Sequence, residues 1–438
     1  MNKINIVGGG LAGAEASWFL SKRGWTVNLY EMRPKITTPA HKTEFLAELV
    51  CSNSLRSSEL SSGPGLLKRE MRLLNSIIME AADKSKVPAG GALAVNRDFF
   101  SRYITDKLKE SENINIINEE YSKIDNSLTI ITTGPLTSEN MLTELANYTG
   151  SEFLYFYDSI APIVDKESID FNRAFWGNRY QKGDGEDYLN CPMTKTEYYN
   201  FINELVNGEK VPYHEFEEKK HFEGCLPIEE MAERGKDTLS FGPMKPVGLN
   251  DPANLDTPPF AVVQLRRENI NGTAFNLVGF QTKLTYKEQE RIFRMIPCLK
   301  NATFLRYGSM HRNSFVNAPK VLDKYLRLKN NKNTFLAGQI TGVEGYIESA
   351  ATGILAGIIV DSLYSRNIDP NLPPDTTAIK SLLNYLSVEN KNFQPSNINF
   401  SLFPQLKNRV KGKKNKREAY SKRAVNDFDN WLENDFNN

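Results

Sequence analysis

A glycine-rich turn near the start of this 438-residue chain restricts its fold more than any other feature. Residues 4 to 7 form an apolar run typical of a buried parallel strand, and a G-x-G-x-x-G pattern follows directly. The residues of this turn are Gly8, Gly9, Gly10, Leu11, Ala12 and Gly13. We expect Gly8 to permit a tight turn, Gly10 to let the backbone approach a pyrophosphate, and Gly13 to let the next helix lie against the strand. The pattern therefore predicts that the turn binds a dinucleotide.

The residues after this turn complete a strand-helix-strand unit. Residues 11 to 22 predict a helix that ends at Gly24 and directs its positive N-terminal end at the phosphates. Residues 26 to 30 predict a second strand, which leads to Glu31, an acid 18 residues after the last glycine. An acid at this position accepts hydrogen bonds from the ribose hydroxyls of an adenosine, and we expect Arg33 to lie near the adenine. These features fit FAD and NAD equally well.

Two later segments favour FAD over NAD. A predicted strand at residues 128 to 131 runs toward Gly134, and the flavoproteins that bind two dinucleotides close their first nucleotide-binding unit in a similar way. Another predicted strand is followed by Gly338 and by a small-residue helix over residues 348 to 359. In flavoproteins such a unit places a helix N-terminus against the flavin pyrimidine, where it stabilises negative charge on the reduced ring. The generic form has aspartate after that glycine, whereas this chain has Gln339.

The order of predicted elements indicates an α/β protein with a Rossmann-type FAD-binding domain, as in glutathione-reductase-like flavoproteins. We predict four parts: residues 1–150 as the first part of the FAD-binding domain, 151–330 as an inserted α+β domain, 331–370 as the return of the FAD-binding domain, and 371–438 as a basic helical C-terminal segment. Within the first part, the spacing of apolar residues predicts one amphipathic helix over residues 66 to 84. Residues 45 to 50 predict a short helix or strand.

Composition and cysteine spacing limit the other classes of protein. The formal charge is +1 with 24% charged residues, so no overall field selects a polyanionic partner. The four cysteines contain no C-x-x-C pair, which argues against a zinc site or a disulfide scaffold and in favour of reduced thiols. The first residues predict a core strand rather than a signal peptide, and no apolar run approaches the roughly 18 residues of a membrane helix. We therefore expect a soluble cytoplasmic protein with no membrane contact and no metal site.

Two cysteines lie in turns where a thiol has either a structural or a catalytic role. Cys51 precedes the turn-forming residues 52 to 54, whose N–H groups can lower a thiol pKa from about 8.5, but a buried cysteine also serves as a small hydrophobic residue. Cys225 lies between Gly224 and Leu226, where the spacing again allows a catalytic thiol or a turn thiol. Spacing alone leaves both alternatives open.

A basic run lies near the end of the chain. Residues 407 to 423 contain nine basic residues and one acid, Glu418. Such a run is either a solvated face or a contact for a phosphate backbone. If the run is only a solvated face, we expect any phosphate-backbone contact in the inserted domain, at Arg173, Arg179 and Lys182.

Short sequence blocks follow one another along nearly the whole chain: GGGLAGAEASWFL, YEMRP, TPAH, FLAELVCSNSLRS, VPAGGALAV, TGPLTSE, YFYD, APIV, YLNCPM, FEGCLPIE, FGPMKPVGL, VVQLR, VGFQT, MHRN, FLAGQITGVEGYIESAATG and KNFQP. This series resembles the family of folate- and FAD-dependent tRNA (uracil-5-)-methyltransferases, often called TrmFO. So many blocks in one order make the resemblance highly specific. Two departures are Lys42, where the family commonly has a second histidine after His41, and the segment NRYQKGDGEDY.

The resemblance implies a reductive methylation of a uridine in RNA. In this reaction 5,10-methylenetetrahydrofolate supplies a one-carbon unit to C5, reduced FAD supplies the electrons, and NADH or NADPH regenerates the flavin. Uracil C5 becomes nucleophilic only after addition at C6, for which a thiolate is well suited. The resemblance implies that Cys225 attacks C6, that Cys51 acts at the flavin as the base for the C5 proton or as a transient carrier, and that Tyr346 stacks on the folate.

The resemblance also implies tRNA as the partner, with 5-methyluridine formed in the T loop. A uridine of large-subunit ribosomal RNA is the alternative target, since no residue separates the two RNAs. An FAD oxidoreductase acting on a small metabolite is a second alternative, but such an enzyme would have no use for Cys225 or the basic run. A flavoprotein family that modifies a wobble uridine is similar in its amino-terminal half, but its members are much longer. We expect a monomer or a weak dimer.

Overall fold

The computed structural model describes residues 2–38, 40–150, 154–181, 185–212, 226–249, 251, 258–390 and 393–436. Its strands are β1 (Lys3–Val7), β2 (Thr26–Tyr30), β3 (Ser54–Ser57), β4 (Lys86–Val87), β5 (Ala92–Val95), β6 (Ile114–Ile117), β7 (Thr129–Ile131), β8 (Leu154–Ser159), β9 (Ile163–Asp165), β10 (Phe175–Trp176), β11 (Tyr188–Met193), β12 (Ala261–Arg267), β13 (Ala274–Leu277), β14 (Phe304–Arg306), β15 (Met310–Phe315) and β16 (Thr334–Leu336). Its helices are α1 (Leu11–Ser21), α2 (Gly63–Leu73), α3 (Ile77–Lys84), α4 (Arg97–Lys109), α5 (Glu139–Thr149), α6 (Lys195–Asn207), α7 (Ile228–Glu233), α8 (Thr238–Phe241), α9 (Tyr286–Phe293), α10 (Ala318–Val321), α11 (Tyr346–Val360), α12 (Ala378–Ser387) and α13 (Lys413–Trp431).

Five parallel strands form the sheet that carries the nucleotide motif. Their order is β16-β7-β1-β2-β6, and β1 pairs with both β2 and β7. Because the strands are parallel, the glycine turn, Glu31, Gly134 and Gly338 all follow carboxyl ends at the same edge of the sheet. Helix α11 packs closely on α1, since a Cβ at Gly353 would lie 2.2 Å from the carbonyl oxygen of Ala12. The predicted α/β class with a Rossmann-type sheet is confirmed.

A second, antiparallel sheet lies in the middle of the chain. Its strand order is β10-β11-β12-β13-β9-β14, and its own hydrophobic core is formed by residues between Val164 and Ala302. Strands β8 and β15 pair as a two-stranded ribbon, with Ser159 opposite Met310. The chain therefore enters and leaves the antiparallel region through one pair of strands.

The larger hydrophobic core shows how the rest of the chain packs. Residues 315 to 328, α12 and α13 all contribute buried side chains to the core that surrounds α1 and α11. Ile379 of α12 and Phe428 of α13 are both fully buried there. The four-part division of the chain stays a prediction.

Two predicted elements are wrong. The helix predicted over residues 66 to 84 is two helices, α2 and α3, because Asn75 has a left-handed backbone (φ 58°) and Ser76 caps the second helix with its side chain. The apolar spacing continues across this break, so the pattern did not indicate it. Residues 45 to 50 form neither a helix nor a strand, and Ala47 among them has a φ of 52°.

The prediction of reduced thiols without a disulfide is also wrong. Cys191 of β11 and Cys298 are both buried and form a disulfide, with their Cα atoms 5.8 Å apart. The two residues are separated by 107 positions in the sequence, so local spacing could not indicate the pair. The assembly of the antiparallel region brings them together.

One helical stretch, Tyr346–Ser365, is long and apolar enough to cross a membrane by length and composition. The expectation that no such run exists is therefore wrong for the part of the chain that the structure describes. Within the protein, 89% of the apolar window of this stretch is buried, because α11 packs against α1, α2 and α12.

Candidate active site

The glycine turn after β1 forms a cradle for phosphate groups. Gly8 has a φ of +102°, and a Cβ there would lie 2.7 Å from the carbonyl oxygen of Thr132. A Cβ at Gly13 would lie 1.9 Å from the carbonyl oxygen of Gly8, so only glycine lets α1 begin this close to β1. At Gly10, by contrast, a Cβ would meet no atom within 4 Å. The space in front of Gly10 is open at the N-terminal end of α1, where a pyrophosphate fits.

Glu31 joins this turn to the end of β2. One carboxylate oxygen accepts a hydrogen bond from Gly9 N–H (2.9 Å), and the other accepts one from Arg33 Nε (2.9 Å). The Arg33 guanidinium also lies 3.3 Å from Glu48, so two acids share one buried cation. Burial alone would raise the pKa of Glu31, but the hydrogen bonds and charge of Arg33 outweigh burial and hold that pKa below its ordinary value. Glu31 is therefore ionised and able to accept hydrogen bonds.

A groove with about 1000 Å³ of empty volume runs along this edge of the sheet. The predicted cofactor residues in its lining are Gly8, Gly10, Leu11, Ala12, Glu31, Arg33, Gly134, Gly338 and Gln339. Gly9 and Gly13 instead make room behind the turn, where a Cβ would meet the side chain of Leu46 and the carbonyl group of Gly8. The groove fits a dinucleotide, and the contact of each residue with the cofactor stays a prediction.

A second cavity adjoins this groove and contains Cys51. It has about 1180 Å³ of empty volume, and Gln339 and Tyr346 line both spaces. The Tyr346 hydroxyl accepts hydrogen bonds from Cys51 N–H (2.7 Å) and Ser52 N–H (3.1 Å). Burial raises the pKa of Tyr346, so the phenol stays protonated at neutral pH. Two of the predicted catalytic residues, Cys51 and Tyr346, are thus in contact at the junction of the two spaces.

The local sequence explains how these two residues are placed. Gly345 precedes α11 with a φ of +118°, which turns the chain so that Tyr346 is the first helical residue. Cys51 belongs to an irregular segment of residues 47 to 53, here called the Cys51 loop. Ala47 donates its N–H to the carbonyl oxygen of Gly9 (2.9 Å), and the thiol of Cys51 lies 3.7 Å from a backbone carbonyl oxygen at the end of β8. These two contacts hold the loop between the glycine turn and the two-stranded ribbon.

Three arginines that were not predicted as site residues also hold the Cys51 loop. Arg97 donates to two carbonyl oxygens of the loop, at 3.1 and 3.4 Å, and its Nε lies 2.8 Å from Glu268. Arg306 donates to a third carbonyl oxygen at 2.8 Å. Arg266 donates to two side chains of the loop, at 2.9 and 3.0 Å. Arg97 comes from α4, which packs on β6 of the parallel sheet, whereas Arg306 and Arg266 come from β14 and β12 of the antiparallel sheet. The position of the loop therefore depends on both sheets.

Of the other predicted residues, Arg173 and Arg179 lie away from this junction. Cys225 and Lys182 lie outside the described residues. Arg179 is engaged within the antiparallel region, where its Nε donates to Gln264 (2.8 Å), and Arg173 lines a separate cavity. Among the described residues, no group of three or more His, Cys, Asp or Glu side chains is placed to hold a metal ion.

The fold and the site together define a class of protein. A parallel nucleotide-binding sheet, an open glycine cradle, a buried acid after the second strand and a late glycine-helix unit are the features of an FAD-binding flavoprotein. Residues 3–367 match the family model described as "Glucose inhibited division protein A" (GIDA). The solved structure of Aquifex aeolicus GidA in the form I crystal has the same fold, with a TM-score of 0.67 over 98% of this chain and 76% of that chain, at 16% identity.

Two relatives define the family more closely. The chain is 55% identical over 431 residues to the "Methylenetetrahydrofolate--tRNA-(uracil-5-)-methyltransferase TrmFO" of Aquifex aeolicus, covering 98% of this chain and 96% of that protein. Its identity to the protein of the same name from Geotalea daltonii is 54% over 432 residues, covering 98% of each. The chain belongs to the GIDA family and, within it, to the TrmFO proteins. The resemblance seen in the sequence blocks is confirmed.

Proposed function

We propose that this protein methylates C5 of a uridine in tRNA and forms the 5-methyluridine of the T loop, with 5,10-methylenetetrahydrofolate as the source of carbon and NADH or NADPH as the final source of electrons. The observation that supports this proposal most is the junction of the dinucleotide groove with the cavity of Cys51, where one tyrosine lines both spaces. Relatives that are 55% and 54% identical over nearly the whole chain carry the name of this reaction.

The glycine cradle is where FAD would be held. The open face of Gly10 and the first turn of α1 suit its pyrophosphate, and the ionised Glu31 suits the ribose of its adenosine. When bound, FAD and the folate would supply the electrons and the carbon of the new methyl group. The task left to the chain is to orient the uracil, add to it at C6 and remove the proton from C5.

The two cysteines would share this task. Cys225 is the residue that we propose for addition at C6, on the strength of the family resemblance alone. Cys51 would take the C5 proton at its sulfur, and the Tyr346 hydroxyl fixes the loop that carries it by accepting two of its amide hydrogen bonds. The position of the Tyr346 ring between the groove and the cavity supports its role as the surface on which the flat folate ring stacks.

The basic run would contact the RNA. A third cavity, here called the basic groove, has about 2000 Å³ of empty volume and is lined by Lys407, Arg409, Lys413, Lys416 and Arg417, with no acid among its lining residues. Three of the first four residues of α13 are lysines, although the helix dipole disfavours a cation there by about 0.3–1 kcal/mol each. Bound phosphates would offset this cost. We propose the basic groove as the main RNA contact and the antiparallel region as a second one.

Mapping of modified nucleosides tests the function. In a strain that lacks the gene, 5-methyluridine should disappear from the T loop of tRNA, and it should return with the intact gene but not with Cys225→Ala. Loss of a modified uridine from ribosomal RNA with unchanged tRNA would contradict the tRNA assignment. No change in either RNA would contradict the methyltransferase function. The cytoplasmic location and the state as a monomer or weak dimer stay predictions.

A further inference from the structure

Arg56 lies at the boundary between the Cys51 cavity and the basic groove, and it lines both. It belongs to β3, which directly follows the Cys51 loop, and its side chain is 40% exposed. Its backbone has a φ of +64°, a conformation that a residue other than glycine adopts when its surroundings impose it. None of the reaction steps assigned to Cys225, Cys51 and Tyr346 involves Arg56.

Two buried groups hold Arg56 in this position. The ammonium group of the buried Lys68 donates to the carbonyl oxygens of Leu55 (2.7 Å), Ser57 (2.6 Å) and Arg56 itself (3.3 Å). Glu348, fully buried in the first turn of α11, lies 2.9 Å from Nη1 of Arg56. The guanidinium is therefore fixed where the two cavities meet rather than free to move over the surface.

Glu348 also connects Arg56 to both neighbouring sites. It lies in the same helical turn as Tyr346. The Glu348 oxygen that pairs with Arg56 also accepts a hydrogen bond from the N–H of Ile398 (3.0 Å), a residue that lines the basic groove. One buried carboxylate thus joins the arginine, the helix that carries the tyrosine and the wall of the basic groove.

The basic groove has the composition of a site for a nucleic-acid strand. Its cations are accompanied by the partly exposed ring of Phe400, which stacks on the buried Tyr420 with the ring centroids 5.3 Å apart. The N-terminal end of α2, at Gly63 and Pro64, lies on the wall of the same groove and adds its positive dipole end. Positively charged grooves with aromatic rings are the usual sites for single-stranded nucleic acid, because they bind phosphates and stack on bases.

We propose that Arg56 binds the phosphodiester beside the target uridine and so directs the RNA strand from the basic groove into the Cys51 cavity. This proposal rests on the proposed function. A guanidinium carries five N–H groups, and Glu348 engages one nitrogen, so the remaining donors can form a forked contact with phosphate oxygens. Arg56 is a positioning residue, since it would touch the backbone of the substrate and not the reacting atoms. The glutamate tail of the folate is the other anion that an arginine here would attract.

Four variants test this proposal. Arg56→Met alone would leave the buried Glu348 without its cation, which destabilises a protein, so the informative variant combines Arg56→Met with Glu348→Gln. Glu348→Gln alone is its reference. Arg56→Lys keeps the charge but loses the forked geometry. Arg72→Met is the matched control, because Arg72 is 39% exposed, pairs with Asp83 of α3 and lines neither cavity.

Binding and kinetics with a hairpin of the tRNA T arm give the readout, after the flavin content of each variant has shown that it is folded. Relative to Glu348→Gln, the double variant should raise the Kd and the KM for RNA about tenfold, as expected for one lost charge-assisted contact. It should also lower the slope of log K against log salt by roughly 0.7 to 0.9 and leave the KM for methylenetetrahydrofolate unchanged. Arg56→Lys should recover the salt slope and only part of the affinity.

Two results would overturn the proposal. One is an RNA affinity and salt slope that are equal in the double variant and in Glu348→Gln. The other is a raised KM for the folate alone, larger with a polyglutamate tail, which would assign Arg56 to the folate. If the unmodified protein forms no 5-methyluridine in this assay, the proposed function fails instead, so the two failures are distinct.

Discussion

The glycine cradle and the Cys51 loop are built in opposite ways. The cradle is made by consecutive residues, 8 to 13, with one acid from the next strand, Glu31. The Cys51 loop is held by three arginines and by Tyr346, which come from four separate parts of the chain. A single strand-helix-strand unit is enough to form the cradle, whereas the loop acquires its shape only when both sheets are assembled. A substitution at the open face of the cradle should therefore affect flavin binding alone, whereas substitutions around the loop should affect folding and catalysis together.

The largest effect on flavin binding is expected at the open face of the cradle. Gly10→Val would fill the space for the pyrophosphate without meeting a protein atom at its Cβ. The protein should fold but lose roughly 100-fold in FAD affinity, because two hydrogen bonds to charged oxygens, of about 1.5 kcal/mol each, would be blocked. Flavin absorbance per mole of protein after gel filtration measures the loss. Gly91→Val, whose Cβ would make an ordinary contact with Glu59 at 3.5 Å, is the control and should stay yellow. Full flavin in Gly10→Val would show that the open face of Gly10 is not where the pyrophosphate binds.

Removal of the Arg97 charge tests the Cys51 loop, which is held by contacts with distant segments of the chain. Arg97→Met leaves Glu268 without its cation and two loop carbonyl groups without their donor, so the free energy of unfolding should fall by about 3–5 kcal/mol. Adding Glu268→Gln removes the unpaired charge and should restore part of that loss. Urea unfolding followed by tryptophan fluorescence provides the measurement. Equal stability of the single and double variants would show that the two side chains are not coupled.

Tyr346→Phe probes the same loop with a smaller change. The variant removes the acceptor for two loop amides, and each buried amide without a partner costs about 1–3 kcal/mol. The loop should open more often, and Cys51 should react about tenfold faster with iodoacetamide, as followed by peptide mass spectrometry. Tyr364→Phe, which removes a hydrogen bond to the carbonyl oxygen of Lys332 outside the site, is the control. An unchanged alkylation rate in Tyr346→Phe would mean that the hydroxyl does not hold the loop.

The smallest effects concern two buried glutamates that accept hydrogen bonds from the first turns of other helices. Glu15 lies on α1 behind the cradle and accepts an N–H of α3 (3.1 Å), whereas the two oxygens of Glu70 accept two N–H groups of α12 (2.8 Å each). Burial raises the pKa of each from its ordinary value of 4.5 to about 8. The folded protein therefore holds more protons than the unfolded chain between these values. Stability from these groups is complete at low pH and is lost as the pH rises toward 8.

Glutamine at the two positions should separate an acid that accepts hydrogen bonds with one oxygen, Glu15, from an acid that accepts with both, Glu70. Glu15→Gln keeps the accepting oxygen and removes the cost of ionisation, so the Tm should rise by roughly 2 °C at pH 8 and change little at pH 5. Glu70→Gln places an amide donor against one N–H of α12, so the Tm should fall at both pH values. Calorimetry at the two pH values compares them. The same change in Tm at both positions would show that the number of accepting oxygens does not decide the effect.

The difference between the cradle and the loop also decides what could be predicted from the sequence. The roles of Gly8, Gly10 and Gly13 follow from consecutive residues, and the turn, the helix and the two strands around it lie where the pattern predicts them. The contact between Cys51 and Tyr346 spans 295 positions and follows from no spacing rule. Only the family resemblance put these two residues in one site.

Contacts between distant segments could not be predicted from the spacing of residues in the sequence. The disulfide, the three arginines around the loop and the position of Arg56 all depend on elements that meet only in the folded protein. Arg266 did carry a signal, because a charged residue within the apolar strand β12 must find polar partners once it is buried. The strand itself does not indicate which partners these are.

In the proposed reaction, this protein transfers the carbon of the folate to C5 of a tRNA uridine. The most direct test incubates the flavin-loaded protein with NADH, a tRNA transcript and methylenetetrahydrofolate in which both methylene hydrogens are deuterium, followed by mass spectrometry of the nucleosides. We expect 5-methyluridine whose methyl group carries both deuterium atoms, and none when the folate is omitted. Oxidation of NADH with every uridine unmodified, or a methyl group without deuterium, would contradict this transfer of the folate carbon.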